Sequence, residues 1–242
     1  MTTQAPTSAQ APTSAQAPTS AQAPTSAQAP TPAQAPSAAE QSARQFRQIL
    51  DAQSYPGRAL SLMQETGPLD PVGLSPACQI LVENLVNRDV QVAFAASLPS
   101  AELARWVRLT LNSEVVAVAE ADFIVCRQAD LAHLDLTQLG LGTMASPELG
   151  ATLVIDYQGP DLTAVSAEAT AGCVRLTGPG INPQGPVKRL NLTEIDAAFW
   201  HQRADCNGSF PMGFDIFICR DSELIALPRT TRIQLEGDAA CM

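Results

Sequence analysis

The sequence is poor in lysine, in long apolar runs and in positive charge, and each shortage argues against a class of protein. Lys188 is the only lysine among the 242 residues, so an enzyme that forms a lysine Schiff base would have to use it. No stretch approaches the roughly 20 apolar residues that a membrane span requires. Because 24 acidic residues outweigh 14 basic ones, the net charge of −10 disfavours binding to nucleic acid.

The six cysteines lack the spacing of a metal site. None forms a C-x-x-C pair, and neither histidine lies near a cysteine pair, which argues against zinc and iron–sulfur clusters. An even number of cysteines is compatible with disulfides. However, the N-terminus shows no signal peptide, and Cys126, Cys173 and Cys219 lie in apolar, strand-like runs. We therefore expect a cytoplasmic protein whose thiols are free and buried.

The first 39 residues contain no charged residue and no histidine, and most of them form a repeat. The hexapeptide APTSAQ occurs four times from Ala5 to Gln28, and the variant APTPAQ follows at 29–34. Proline at every sixth position opposes helix formation, and the repeat has no large apolar side chain to bury. We predict a disordered tail over 1–39 and a single α/β domain over 40–242, with a partner-docking segment as the alternative reading of the tail.

From Glu40 onward, helical and strand patterns alternate along the chain. The predicted helices are 41–53, 75–88, 100–111 and 193–204. The predicted strands are 58–63, 90–96, 122–127, 151–157, 173–177, 214–219, 224–227 and 232–235, the last three forming a hairpin or meander. Residues 132–139 are compatible with a helix or a loop. This order indicates a layered α/β/α fold with a mixed sheet.

Four basic residues are candidate contacts for an anion or a partner: Arg175, Lys188, Arg229 and Arg232. Arg229 and Arg232 flank a threonine pair in the terminal hairpin, whereas Lys188 lies in a Pro/Gly-rich run that reads as a surface loop. The alternative is that these four side chains are solvated charges on the surface. The nearest approach to a phosphate loop is Thr177–Ile181, but it lacks the glycine fingerprints of nucleotide sites, which favours a plain turn.

The residues indicate no catalytic site. His133 and His201 are isolated in the sequence, and the chain has no G-x-S-x-G nucleophile motif. We assign no catalytic, cofactor-binding or metal-binding residue.

Five short blocks resemble the H subunit of the phosphonate carbon–phosphorus lyase system (the PhnH family). They occur in the family's order and together span about residues 45–235. The blocks are Phe46–Gly57, Glu148–Leu153, Leu176–Ile181, Phe210–Asp215 and Leu227–Thr231. The repeat tail and the ending from Glu236 have no counterpart in this resemblance.

The resemblance implies a fold similar to the large domain of pyridoxal-phosphate-dependent transferases, without the cofactor. The position of Lys188 agrees independently with that loss. It also implies an accessory subunit that joins the G, I and J subunits in a core complex, which transfers ribose triphosphate from ATP to an alkylphosphonate. The isolated subunit is expected to be a homodimer. The radical iron–sulfur step of the pathway belongs to another subunit.

Two other functions remain open from the sequence. The first is a stand-alone enzyme that binds a nucleotide or phosphonate at the Gly178 turn, with Arg175, Lys188 or Arg229 as the cation. The second is an active pyridoxal-phosphate enzyme, which the context of Lys188 disfavours.

Overall fold

The computed structural model describes residues 36–65, 67–69, 72–164 and 172–236. Its first element, α1 (Ala38–Ser54), begins earlier than the predicted 41–53 because Ser37 and Glu40 form a capping box. The Ser37 amide donates to the Glu40 carboxylate at 2.8 Å, and the Glu40 amide donates to the Ser37 hydroxyl at 3.3 Å. The helix therefore starts two residues inside the predicted tail, whose residues 1–35 lie outside the described part of the chain.

The described residues form four α-helices and nine strands, most of them where the patterns predict. After α1 these are β1 (Leu60–Ser61), α2 (Pro76–Leu85), β2 (Val92–Phe94), α3 (Ser100–Trp106), β3 (Phe123–Arg127), β4 (Thr152–Asp156), β5 (Cys173–Thr177), β6 (Lys188–Asn191), α4 (Ala197–Cys206), β7 (Asp215–Arg220), β8 (Glu223–Leu227) and β9 (Arg232–Leu235). A π-helical turn, Val107–Leu111, continues α3. The ambiguous segment 132–139 contains only the short 3₁₀ turn Leu136–Gln138.

The main sheet has six strands in the order β1-β8-β7-β4-β3-β2. Strands β2, β3, β4 and β7 run parallel, whereas β8 and β1 continue the sheet antiparallel to their neighbours. In the centre, Val154 pairs with Val125 on one side and with Phe217 on the other. This arrangement confirms the predicted mixed sheet.

Successive side chains of the central strands point to opposite faces of the main sheet, so each face carries one apolar cluster. Ile155 and Ile218 belong to one cluster, and their strand neighbours Val154 and Phe217 belong to the other. Helices α1, α2 and α3 cover the second face. The first face is covered by α4 together with a three-stranded antiparallel sheet of order β6-β5-β9, rather than by helices alone.

Two details of the prediction are wrong. The terminal strands do not form a continuous meander, because β9 leaves the β7–β8 hairpin and pairs with β5 in the small sheet. Lys188 and Arg189 do not lie in a loop, because they begin β6. Strand β6 is at an edge of the small sheet, where charged side chains remain in water and discourage pairing with another chain.

Five cysteines lie in the described residues, and none of these five forms a disulfide. Cys126, Cys173 and Cys219 are buried, in line with the expectation from their apolar runs, and Cys78 is buried as well. Burial raises the pKa of the Cys126 thiol, which keeps it protonated and unreactive. None of the helices in the described part of the chain combines the length and apolar character needed to cross a bilayer.

Candidate functional site

Arg229 is the centre of a cluster of loops at the amino-terminal edge of the parallel strands. Its Nη2 and Nε donate to the Asp215 carboxylate at 2.8 and 3.2 Å, and its backbone amide donates to the same carboxylate at 2.6 Å. Its Nη1 donates to the carbonyls of Pro147 at 2.8 Å and Pro211 at 3.3 Å. Arg229 therefore ties three separate segments together, and Asp215 neutralises its charge.

Gly150 allows the guanidinium of Arg229 to approach so closely. A Cβ at this position would collide with the Gly213 carbonyl oxygen and would lie 2.6 Å from Nη1 and 2.8 Å from Nη2 of Arg229. Its φ of −70° is available to any residue, so the space, and not the backbone angle, requires glycine. A short 3₁₀ turn, Pro147–Leu149, directly precedes Gly150.

The substitution Gly150→Ala is expected to lower the free energy of unfolding by about 1–3 kcal/mol, because the added methyl collides with the Gly213 carbonyl and displaces the Arg229 guanidinium. Urea unfolding followed by tryptophan fluorescence measures this change. Gly185→Ala is the matched control, since a Cβ there meets only the Asn182 side chain at 3.3 Å. Equal stability of the two variants would show that the close approach is unimportant.

Arg203, on α4, holds the connection between β8 and β9. Its Nη1 donates to the Thr231 carbonyl at 3.0 Å, and its Nη2 donates to the carbonyls of Pro228 at 2.9 Å and Leu227 at 3.3 Å. The residue is 3% exposed, and this burial lowers the pKa of its guanidinium to about 10. The contacts of Arg203 are carbonyl dipoles, unlike the carboxylate contacts of Arg229.

Asn207, the residue that ends α4, fixes the loop before β7. Its amide nitrogen donates to the Phe214 carbonyl at 3.1 Å, and its Oδ1 accepts from the Phe214 amide at 3.0 Å. The Gly213 amide donates to the Leu141 carbonyl at 2.8 Å. The loop 208–213 is thus attached both to α4 and to the loop that precedes Gly150.

The five blocks that carry the family resemblance converge in three dimensions. Arg229 joins three of these blocks: its own, the block that contains Gly150 and the block that contains Asp215. The fourth follows β5, where a Cβ on Gly178 would lie 2.9 Å from the Thr230 carbonyl. The first block reaches Gly180, whose backbone lies against Ser54 and Pro56. The blocks therefore encode one packed structure at one edge of the molecule, formed by residues that are far apart in the sequence.

A cleft of about 690 Å³ opens beside this cluster, between the Gly178 turn, the end of α4 and the β8–β9 connection. Arg203, Arg229 and Arg232 line it. Among the described residues that line the cleft there is no aspartate, glutamate, histidine, cysteine or lysine. The cleft has no side chain suited to general acid–base or nucleophilic chemistry near neutral pH.

The structure separates the four predicted contact residues. Arg229 and Arg232 share the cleft, and Arg232 is exposed. Arg175 is exposed in β5 and pairs in register with Arg189, whose Nε binds Glu236 at 2.7 Å. Lys188 lines a separate groove of about 240 Å³. The expected grouping of the Gly178 turn with Arg229 therefore occurs, whereas Arg175 and Lys188 lie elsewhere.

Sequence reasoning missed Arg203 as part of the site. Its signal is positional, because Arg203 follows Trp200 by three residues on α4 and so shares the buried face of that helix. His201, on the same helix, is exposed, as is His133 in the loop after β3.

The carboxyl ends of parallel strands are the usual ligand-binding edge of an open α/β sheet, and here a groove of about 360 Å³ lies at that edge, lined in part by Asp156, Arg220 and Asp221. Asp156, at the end of β4, is buried and accepts from the Ser75 amide at 3.2 Å. The Ala77 amide, in the first turn of α2, donates to the Asp221 carbonyl at 2.9 Å. These groups occupy amides that an anion would otherwise use. Burial raises the pKa of Asp156.

A raised pKa in the folded state means that folding favours protonated Asp156, so its charge lowers stability once the pH rises through the folded-state pKa. Asp156→Asn is therefore expected to be at least as stable as the parent at pH 7, with Oδ1 still accepting from Ser75. Below pH 4 the difference in stability between the variant and the parent should shrink. Urea midpoints at both pH values measure this, and a variant that is clearly less stable at pH 7 would contradict the expectation.

Comparison with known proteins confirms the family resemblance that the five blocks indicate. A family model described as bacterial phosphonate metabolism protein (PhnH) matches residues 34–234. The "Putative C-P lyase subunit protein HtxG" of Stutzerimonas stutzeri is 33% identical over 192 residues, which is 79% of this chain and 85% of that protein. The alpha-D-ribose 1-methylphosphonate 5-triphosphate synthase subunit PhnH of Rhizobium meliloti (strain 1021) is 24% identical over 193 residues, covering 79% and 89% of the two chains. The chain belongs to the PhnH family of bacterial phosphonate metabolism proteins.

Proposed function

We propose that this protein is a non-catalytic subunit of a carbon–phosphorus lyase core complex. In that complex it joins G, I and J subunits, which together transfer ribose triphosphate from ATP to an alkylphosphonate. The observation that carries the proposal is the family match over residues 34–234, together with relatives that are named as C-P lyase and synthase subunits.

The geometry of the motif cluster supports a structural role for the family blocks. The guanidinium of Arg229 is engaged by Asp215 and by two carbonyls, so it holds loops in place. The described lining of the adjacent cleft offers no acid–base pair. This cleft therefore offers no side chain for proton transfer near neutral pH.

The same loops present an apolar surface that suits a partner subunit. Met144 and Leu149 are 66% and 63% exposed, and Phe210, on the neighbouring loop, is 70% exposed. Arg229 holds the two loops side by side through Pro147 and Pro211. Clustered exposed apolar side chains on rigid loops are typical of a protein interface. We assign docking of a core-complex subunit to this surface, which we call the Met144–Leu149–Phe210 patch.

Three further properties belong to the proposal. The isolated protein is a homodimer, it functions in the cytoplasm, and its layered fold is related to the large domain of pyridoxal-phosphate enzymes without using that cofactor. The placement of Lys188 at an edge strand, in a shallow groove, supports the last of these.

Affinity purification from the source bacterium, grown on methylphosphonate as the phosphorus source, tests the assignment. A chromosomally tagged chain is expected to bring down the G, I and J subunits in near-stoichiometric amounts. Recovery of the tagged chain alone, while G, I and J co-purify with one another, would overturn the proposal.

A further inference from the structure

The cleft beside the Arg229 cluster has an electrostatic character opposite to that of the whole chain. The chain carries 24 acidic and 14 basic residues, yet the described lining of the cleft contains three arginines and no acid. A low-dielectric depression lined by one sign of charge concentrates ions of the opposite sign. The cleft therefore favours an anion.

Arg203 supplies a buried cation that has no hydrogen bond to a carboxylate, although Asp215 attracts it through space. Three carbonyls accept from its two terminal nitrogens, but its Nε is buried and has no partner in the described structure. A buried charge is costly unless it is paired and hydrogen-bonded. Arg229, by contrast, is already neutralised by Asp215.

Two more buried polar atoms without a described partner belong to residues that line the same cleft. They are Nε1 of Trp200 and Oγ1 of Thr231. Trp200 lies one helical turn before Arg203 on α4, and the Arg203 Nη1 bonds to the Thr231 carbonyl. Three potential donors (two N–H groups and one hydroxyl) thus belong to residues that line one cleft. Unsatisfied buried polar atoms are rare in folded proteins, and three of the eight in the described part of the chain belong to this cationic cleft.

The number of donors and the size of the cleft indicate which kind of anion binds there. A tetrahedral oxyanion offers several equivalent oxygens, whereas a carboxylate offers two. A volume of about 690 Å³ lies within the range of small-molecule sites and leaves room for more than the anionic group. Phe210 and Ile233 provide apolar wall for that remainder, and exposed Arg232 lies on the wall as a second cation.

We propose that this cleft binds the phosphate or phosphonate group of a small molecule, with Arg203, Trp200 and Thr231 as donors. The three donor atoms are covered, so binding requires their side chains to turn toward the cleft. The site is for binding and not for chemistry, and it goes beyond membership of a complex, which does not require it.

Isothermal titration of the full chain with inorganic phosphate, methylphosphonate and ATP tests the proposal and distinguishes the sources of the group. At least one of these is expected to bind. Thr231→Val and Trp200→Phe each remove one donor that has no described protein partner, and circular dichroism of each variant verifies its fold before titration. Each is expected to weaken binding about tenfold, the effect of one hydrogen bond to a charged group.

Arg175→Gln is the matched control, because Arg175 is exposed on the small sheet and is not part of the described cleft lining, and its affinity should equal that of the parent. The proposal is overturned if none of the three anions binds, or if Thr231→Val and Trp200→Phe bind as the parent does. The proposal would also be overturned if an acidic peptide bound to the chain while none of the phosphorus oxyanions did. Co-purification with partner subunits reports separately on the proposed function.

Discussion

Replacing Arg229 with alanine is expected to lower the free energy of unfolding by about 3–5 kcal/mol, the cost of removing one partner from a buried ion pair. The side chains of Arg229 and Asp215 are only 15% and 22% exposed. The substitution leaves the Asp215 carboxylate without its cation and frees the carbonyls of Pro147 and Pro211. Urea unfolding at pH 7 measures the loss.

Arg232→Ala is the control for this variant, because Arg232 lies three residues further along the chain and is exposed, with no ion pair among the described residues. Its stability should lie within about 0.5 kcal/mol of the parent. Arg229→Lys should recover part of the loss, since an ammonium retains the charge but cannot reach all the acceptors. An Arg229→Ala protein as stable as Arg232→Ala would refute the central place of Arg229.

The second large effect concerns assembly. The double variant Met144→Asp/Leu149→Asp is expected to weaken association with the core subunits about 100-fold, because it places charges at the centre of an apolar interface. Both residues are exposed, so the isolated variant should fold as the parent does. Association is measured by binding of the labelled chain to the purified G, I and J subunits.

Leu109→Asp is the matched control for assembly. Leu109 is 70% exposed, as much as the patch residues, but it lies in the helical layer on the other face of the main sheet. Its variant should bind like the parent. Equal weakening by both changes would indicate a general effect of charge, and normal binding of the double variant would remove the patch from the interface.

The sequence predicts the fold well where burial is strong and local. The runs that form β3, β4 and β7 are apolar and rich in β-branched residues, so their pattern shows directly. Strand β6, with the sequence KRLN, has one buried side chain and does not resemble a strand. The pairing of β9 with β5 joins residues nearly sixty positions apart, and the local sequence of either strand does not identify the other as its partner.

The site was accessible from the sequence only in part. Arg229 was identified from its setting between two strands, but its neutralisation depends on Asp215, which reaches it across the β7–β8 hairpin. Sequence proximity does not reveal such a pair. Arg203 and Trp200 were hidden because a helix with a buried arginine reads as an ordinary amphipathic helix until its tertiary contacts are known.

Reconstitution of the transfer reaction tests most directly whether the protein is a non-catalytic but necessary subunit. Purified G, I and J subunits are incubated with ATP and methylphosphonate, with and without this chain, and the products are followed by phosphorus nuclear magnetic resonance. Ribose methylphosphonate triphosphate is expected only when all four proteins are present, and never with this chain alone. Product formation by the chain alone, or undiminished formation in its absence, would contradict the assignment.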